Sequence, residues 1–368
     1  MKIGITLDFS SSFWANGLQQ NAVFLYEVLK RAGNECYYIF DKEPPHTLGE
    51  NHLGMSIWDV LDDKTEVFDA LILIGFDLHK EMYEQFMFRN QDTKIIMVHY
   101  GNKLFNDMHY SVGPDSQNKT AVTPPAFVSQ IWTSPHYESA IPYYKTYYNT
   151  PEVYTCPYIW DTTFVQMEAK ALSNKGLDPF FNPERLEKIC IFEPNITISK
   201  NCIIPFMIMQ EFDYKFPSEL QSGSIFCCSL LRKKPFFMDY INKFPITKKD
   251  NFIYFNNRHG MLDAVSKYGN TIVSHQIENQ LNYLYLEALY LGLPLIHNSD
   301  MLSDYGYYYP KNDVQMAAKQ VKNAFLNHEE QLNAYKGDAQ KLFQKHSPYN
   351  DNNIKGYMSL LNNAKPAR

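Results

Sequence analysis

No run of about 18 apolar residues occurs in the 368-residue chain, so no membrane-spanning helix is expected. Cysteine is sparse, and its six copies never form a Cys-x-x-Cys pair. Cys36, Cys156, Cys190, Cys202, Cys227 and Cys228 lie mostly in apolar runs such as KICIF and SIFCCSL. They read as reduced, buried thiols of a cytoplasmic protein, and no metal site is expected. An excess of positive charge is missing too. Thirty-four Lys and Arg against 40 Asp and Glu give a net charge of −6. That argues against a generally basic nucleic-acid binder but leaves room for a local basic groove. The opening MKIGITLDF carries one Lys and then Asp8, which is a strand and not a signal peptide. Ser10-Ser11-Ser12 lacks the Gly and Lys spacing of a phosphate loop. Asn118-Lys119-Thr120 has the N-x-T shape, which means nothing in a cytoplasmic chain.

What remains is ample for folding. Apolar residues make up 45% and aromatics 15%, with 27 Tyr and 25 Phe, enough for two cores. Short apolar runs alternate with helical patterns. Strands are predicted at 2–9, 36–40, 68–75, 94–99, 130–134 and 152–156. Helices are predicted at 18–32, where Gly33 stops the apolar stripe, at 79–89 and at 137–148. The run FDALILIG is continuous and apolar, as a parallel strand covered on both faces should be. The rhythm breaks near 161–188 and restarts with strands at 188–193, 224–230, 252–256, 271–274 and 295–298. Helices follow at 201–212, 282–291, 314–327 and 353–361. The expected architecture is α/β, with two Rossmann-like domains whose parallel sheets face a central cleft. Domain one spans 1–170, a linker 171–187, domain two 188–345, and a tail helix in 346–368 is expected to return to domain one. Ligands of such sheets bind at the carboxyl ends of the strands.

The most informative stretch is HQIENQLNYLYLEALYLGLPLIHNSD, residues 275–300. Its entry loop is rich in Asn and Gln, among them Gln276, Asn279 and Asn282, which packing alone does not require. It opens a helix whose free N–H groups and dipole favour a phosphate. Glu287, mid-helix, can accept two hydrogen bonds from a ribose diol. Arg258, in the loop FNNRHG with Asn257, offers a bidentate clamp for a diphosphate. His99 ends the strand IIMVH, where it can hydrogen-bond a sugar or act as general base. Asp8 is the alternative base, and Asn16 and Gly17 form the first-domain loop facing the cleft.

The pattern L-E-A-L-x-x-G-x-P-L-I, Leu286 to Ile296, resembles the donor signature of GT-B glycosyltransferases. The wider phrase from Asn282 to Ser299 is similar to a group of bacterial and phage proteins taken to be GT-B transferases. In retaining members two acidic residues lie eight positions apart, and the second binds the ribose. Glu287 matches the second, but the first falls on Asn279, with Glu278 beside it. The resemblance also implies a cation after the first strand of domain two, where Lys200 stands, to neutralise the departing diphosphate. It implies a nucleotide-sugar donor as substrate, with no resident cofactor or structural metal expected, and a sugar-contacting role for His99. No Asp-x-Asp is present, which disfavours the cation-dependent single-domain transferases.

The function expected is transfer of a sugar from a nucleoside-diphosphate sugar, with UDP the leading nucleotide, to an acceptor hydroxyl. The acceptor could be a glycan, a lipid-linked glycan or a hydroxymethylated base of phage DNA. A sugar-nucleotide epimerase of the same shape and a non-enzymatic two-domain binder are the alternatives. Tyr143, Tyr144, Tyr147 and Tyr148 fall at helical spacing and read as packing. The basic residues Arg232, Lys233, Lys234, Lys243, Lys248 and Lys249 read as a solvated face, with an anionic acceptor as the sharper reading.

Overall fold

The computed structural model describes residues 1–8, 17–42, 52–62, 67–113 and 127–367. They form two compact units. Unit one comprises Met1–Asp161 and Gln344–Arg368, and unit two comprises Thr162–Phe343.

Unit one holds a seven-stranded sheet: β1 (Lys2–Thr6), β2 (Glu35–Phe40), β3 (Leu53–Ser56), β4 (Ala70–Leu73), β5 (Lys94–His99), β6 (Gln130–Thr133) and β7 (Val153–Thr155). Every pairing is parallel, in the order β3-β2-β1-β4-β5-β6-β7. The central strand β4 is buried along its length, which is why its sequence is apolar without alternation. The helices are α1 (Gly17–Arg31), α2 (Ile57–Leu61), α3 (Lys80–Arg89), α4 (Lys103–Val112) and α5 (Ile141–Tyr147). Helix α1 buries Ala22, Leu25, Tyr26 and Leu29 on one stripe. It ends because Gly33 takes φ +84°, a left-handed conformation that leaves the helix path.

Unit two holds a six-stranded sheet: β8 (Lys188–Ile191), β9 (Ser222–Ile225), β10 (Ile253–Phe255), β11 (Thr271–Val273), β12 (Leu295–His297) and β13 (Tyr307–Tyr308). It too is parallel throughout, ordered β10-β9-β8-β11-β12-β13. Its helices are α6 (Thr163–Ser173), α7 (Ile203–Lys215), α8 (Pro235–Ile241), α9 (Met261–Val265), α10 (Tyr283–Tyr290) and α11 (Val314–His346), the last of which continues from Gln344 as part of unit one. The core packs Phe206, Met209 and Phe212 of α7 and the small Ala317, Ala318, Val321 and Ala324 of α11 against strand residues Ile189, Ile191, Ile225 and Ile296. The final helix, α12 (Asp351–Asn363), belongs to unit one and packs on α1.

Several segments depart from the sequence expectation. Residues 171–187 are not a free linker: α6 runs to Ser173, and the rest is strapped to unit two. Phe181 N donates to Leu291 O at 3.1 Å, and Arg185 Nη1 donates to Val265 O at 3.0 Å. Helix α11 runs 33 residues and does not stop near 327. No Pro interrupts it, and the one Gly, Gly337, costs only about 1 kcal/mol against Ala. The short strands β3 and β13 were not expected; each is an edge strand, too brief for periodicity to show.

Candidate functional site

In unit two the strand order reverses at β8, with β9 and β10 on one side and β11 to β13 on the other. Such a reversal opens a crevice at the carboxyl ends of the strands, because the flanking loops diverge. Glu193 lies there, two residues past β8 and 2% exposed. Its carboxylate accepts hydrogen bonds from the Ser274 hydroxyl, from His275 N at 3.2 Å and from Gln276 Nε2 at 3.2 Å. Burial pushes its pKa up to about 7, against the pull of these donors and of the Lys200 charge. Lys200 shifts the opposite way: burial holds its ammonium below the usual range, opposed by Glu193. For both groups, then, loss of water outweighs mutual attraction.

Lys200 and Gln276 form an antiparallel bridge, and Asn279 Nδ2 donates to Gln276 Oε1. The Gln276 N–H donates to Asn298 Oδ1 at 2.9 Å, while Asn298 Nδ2 donates back to Gln276 O at 2.9 Å. This reciprocal pair ties the loop after β11 to the end of β12. Around the crevice three non-glycine residues adopt left-handed backbone: Asn195 (φ 58°), Cys227 (φ 58°) and Glu278 (φ 51°). They follow the adjacent strands β8, β9 and β11. Each such conformation costs roughly 1–3 kcal/mol, so the surrounding contacts must hold it. Asn195 shows how: its Nδ2 donates to Glu193 O at 2.8 Å and Phe226 O at 3.2 Å, and its Oδ1 accepts from Cys202 N at 2.8 Å.

Glu287 is half-buried on α10, and burial pushes its pKa up to about 7, with the nearby Glu168 carboxylate of α6 adding repulsion. Glu168 is itself raised by burial and by Asp263. Its Oε1 lies 3.3 Å from where a Cβ on Gly260 would stand. Asn282 caps α10, its side chain accepting from Leu284 N at 3.2 Å. Asn257 and Arg258 are exposed in the loop after β10, whose Asn257 O accepts from Cys227 N at 3.3 Å. Both Arg258 and Glu193 act on the Cys227 thiol, so the Arg258 loop and the Glu193 crevice share one end of the sheet.

Unit one has an equivalent reversal between β1 and β4. Thr6 Oγ1 donates to Phe76 O at 3.0 Å and accepts from Ile74 N at 2.9 Å. A Cβ on Gly75 would stand 2.4 Å from the Asp8 nitrogen, so only glycine fits beside Asp8. The Asp8 carbonyl accepts from Gln19 Nε2 of α1. Gly17 is the exposed first residue of α1 and not a loop residue, while Asn16 lies outside the described residues, as do Ser10–Ser12 and Asn118–Thr120. His99 ends β5, half-buried, its ring stacked on Tyr144 with centroids 5.2 Å apart. Its Nε2 lies 2.8 Å from the Tyr148 hydroxyl. Burial, with Lys103 adding to it, lowers its pKa to about 4. Its surroundings thus favour the neutral ring, and the expected packing tyrosines are its immediate environment. Lys103 pairs with Asp107 at 2.7 Å and covers the Tyr147 ring at 4.1 Å.

Lys200, Gln276 and Asn279 thus come together, but Gln276, Asn279 and Asn282 already spend polar atoms on neighbouring protein groups. Sequence reasoning missed Glu193, Ser274 and Glu168. A carboxylate closing the apolar run KICIFE was the available signal for Glu193. Glu168 sits in a helix that periodicity did not reveal. Among the described residues no three His, Cys, Asp or Glu side chains form a set that could hold a metal ion, and no helix is long and apolar enough to cross a membrane.

Two Rossmann-like units, each built on a parallel sheet, define the GT-B fold, and solved structures of that fold align with nearly all of the chain. The chain belongs to the family described as "Protein of unknown function (DUF2827)", whose model matches residues 3–361. Anabaena HepE in complex with UDP and glucose aligns at TM-score 0.58 and 9% identity, over 98% of this chain and 99% of that one. A glycosyltransferase from Rickettsia africae aligns at TM-score 0.56 and 12% identity, over 99% of each chain. The T4 phage β-glucosyltransferase BGT in complex with its UDP-glucose substrate aligns at TM-score 0.54 and 14% identity, over 98% of this chain and 99% of that one. A further T4 structure holds UDP and Mn2+. No curated protein matches in sequence.

Proposed function

We propose that this protein is a glycosyltransferase that moves a sugar from a nucleoside-diphosphate sugar, with UDP as the nucleotide, to an acceptor hydroxyl. The observation that carries the reading is the alignment, end to end in both chains, with HepE and T4 BGT in complex with UDP-glucose. Unit two takes the donor. Glu287 binds the ribose diol, and Lys200 and Arg258 stabilise the diphosphate as its negative charge develops on leaving. The raised Glu193 carboxyl supports this role: with its pKa pushed up to about 7, it binds Lys200 less firmly than an ordinary carboxylate would and leaves more of that charge to the diphosphate. Unit one takes the acceptor. His99, neutral and hydrogen-bonded to Tyr148, orients a hydroxyl, and Asp8 is the candidate base. The acceptor is a glycan or a hydroxymethylated DNA base, T4 BGT being a DNA-modifying enzyme. Six free cysteines, five of them buried, fit a reducing cytoplasm.

The test is incubation with radiolabelled UDP-sugars, with and without Mn2+, alongside a thermal-shift screen of nucleoside diphosphates. A ligand at 100 times its dissociation constant stabilises by about 2.7 kcal/mol. Sugar transfer or slow donor hydrolysis supports the reading. Interconversion of the sugar points to an epimerase instead. The absence of both turnover and nucleotide stabilisation overturns the proposal.

A further inference from the structure

Unit two also carries an exposed surface that the donor-side residues described above do not include. Helix α8 carries apolar side chains on two adjacent faces. Phe237 and Ile241 point inward and are buried, as an i, i+4 pair should be. Phe236 points outward and is 82% exposed, with its ring stacked against Tyr240, centroids 6.3 Å apart at 14°. The 3₁₀ turn before the helix, Leu231–Lys233, packs against α8, and Leu230 at its head is 62% exposed. Between these two apolar side chains lie Arg232, Lys233 and Lys234, all exposed. Residues 230–249 hold six cations and one carboxylate, Asp239, within a chain of net charge −6, and of the six Lys249 is paired with the buried Asp213 at 2.5 Å. Asp239 is engaged by Lys243 at 2.8 Å.

We propose that this face docks on an anionic lipid bilayer. Phe237, Ile241 and the partly buried Tyr240 serve the core, whereas Phe236, exposed beyond its stacking on Tyr240, is not explained by it. Aromatic and aliphatic side chains flanked by cations suit a membrane interface, where the rings enter the headgroup boundary and the cations meet anionic lipid. A nucleic-acid duplex would engage the cations but leave Leu230 and Phe236 without an apolar partner. The surface stands whether or not the chain transfers sugar.

The test is co-sedimentation of the full chain with vesicles of phosphatidylcholine, with and without phosphatidylglycerol. Binding is expected only to the anionic vesicles, and added salt weakens it. Each cation at an anionic surface is worth about a fivefold change in partitioning, so Arg232→Ala with Lys233→Ala should weaken binding about 30-fold. Phe236→Ser should weaken it at least about tenfold. All three positions are exposed, so circular dichroism and UDP stabilisation should stay as in the wild type; this separates the surface from the donor site. Equal binding to both vesicle types, no binding to either, or binding indifferent to both variants overturns the proposal. So does a chain that ignores vesicles and binds duplex DNA through the same cations.

Discussion

Ser274 donates its hydroxyl hydrogen to the carboxylate of Glu193, 81 residues earlier in the chain. The bond joins the ends of β11 and β8, the two strands at which the sheet of unit two changes direction. The Tyr285 hydroxyl, 2.9 Å from Ser274 Oγ, extends the network to α10, the helix that carries Glu287. One buried polar network therefore links the ends of β8 and β11 to the helix that carries Glu287.

Removing the centre of that network should cost stability. Glu193→Ala leaves Ser274, His275 N and Gln276 Nε2 without their acceptor, and each buried orphan costs roughly 1–3 kcal/mol. A loss of about 3 kcal/mol or more is expected in urea denaturation. Glu193→Gln retains one acceptor oxygen and should lose less. Equal stability of wild type and the alanine variant would show that the network is not worth its desolvation.

The raised carboxyls make stability depend on pH. Glu193 and Glu287 have pKa values near 7 when folded, against 4.5 for the free group. The folded state therefore binds more protons between about pH 4.5 and pH 7, and stability falls as pH rises through that window. The contribution is fully present below about pH 4.5. Glu287→Gln should flatten part of the fall, by up to about 3 kcal/mol between pH 5 and pH 8. Urea denaturation at the two pH values measures it; parallel losses in wild type and variant would place the Glu287 pKa elsewhere.

Glu287→Ala should also weaken nucleotide binding while the fold persists. A hydrogen bond to a charged group is worth roughly 1.5–3 kcal/mol, or about 10- to 150-fold in affinity for UDP by calorimetry. Unchanged affinity in a folded variant would remove Glu287 from the donor site.

Much of this was legible in the sequence, for definite reasons. FDALILIG reads as a buried parallel strand because both its faces are covered, and the Leu286–Ile296 pattern places a carboxylate on a helix before a buried strand. What stayed hidden depends on tertiary neighbours. The low basicity of His99 comes from Tyr144, Tyr148 and Lys103, which no local pattern places around it. The Glu168–Glu287 pair joins helices more than a hundred residues apart. Residues 171–187 look like a linker because Asn, Gly and Pro punctuate them, yet the backbone groups of Phe181, Arg185 and Glu187 bond the loops that lead from helices into β12, β11 and β9 of unit two.

His99 tests that point directly. With a pKa near 4 it stays neutral across an assay range of about pH 5.5 to 8.5, so it should add no limb near pH 6.5 to the turnover profile. His99→Gln can still hydrogen-bond a sugar or Tyr148 and should retain most activity. His99→Ala should lose more. A loss of about 10²–10⁴-fold in the glutamine variant would restore His99 as general base.

The C-terminal helix should prove essential to unit one. Tyr357 and Leu361 of α12 are fully buried. Tyr357 OH donates to Pro157 O at 2.7 Å, Lys94 Nζ donates to Leu361 O at 3.0 Å, and Ala367 N donates to Thr93 O at 3.0 Å. The helix therefore closes the side of the sheet on which α1 lies and ties down the start of β5. Deleting residues 347–368 exposes that side of the core, and each lost large side chain forfeits about 1.5–3 kcal/mol of burial. Summed over Tyr357 and Leu361, with the lost hydrogen bonds, this is comparable to the stability of a whole domain, about 5–15 kcal/mol. Hydrogen exchange should show β1, β5 and α1 losing protection in the truncated chain while β8, β11 and α7 keep theirs. Tyr357→Phe is the graded control: it removes only the hydroxyl and should cost about 0.5–1.5 kcal/mol. Full protection of β5 after truncation would mean that α12 merely rests on unit one without stabilising it.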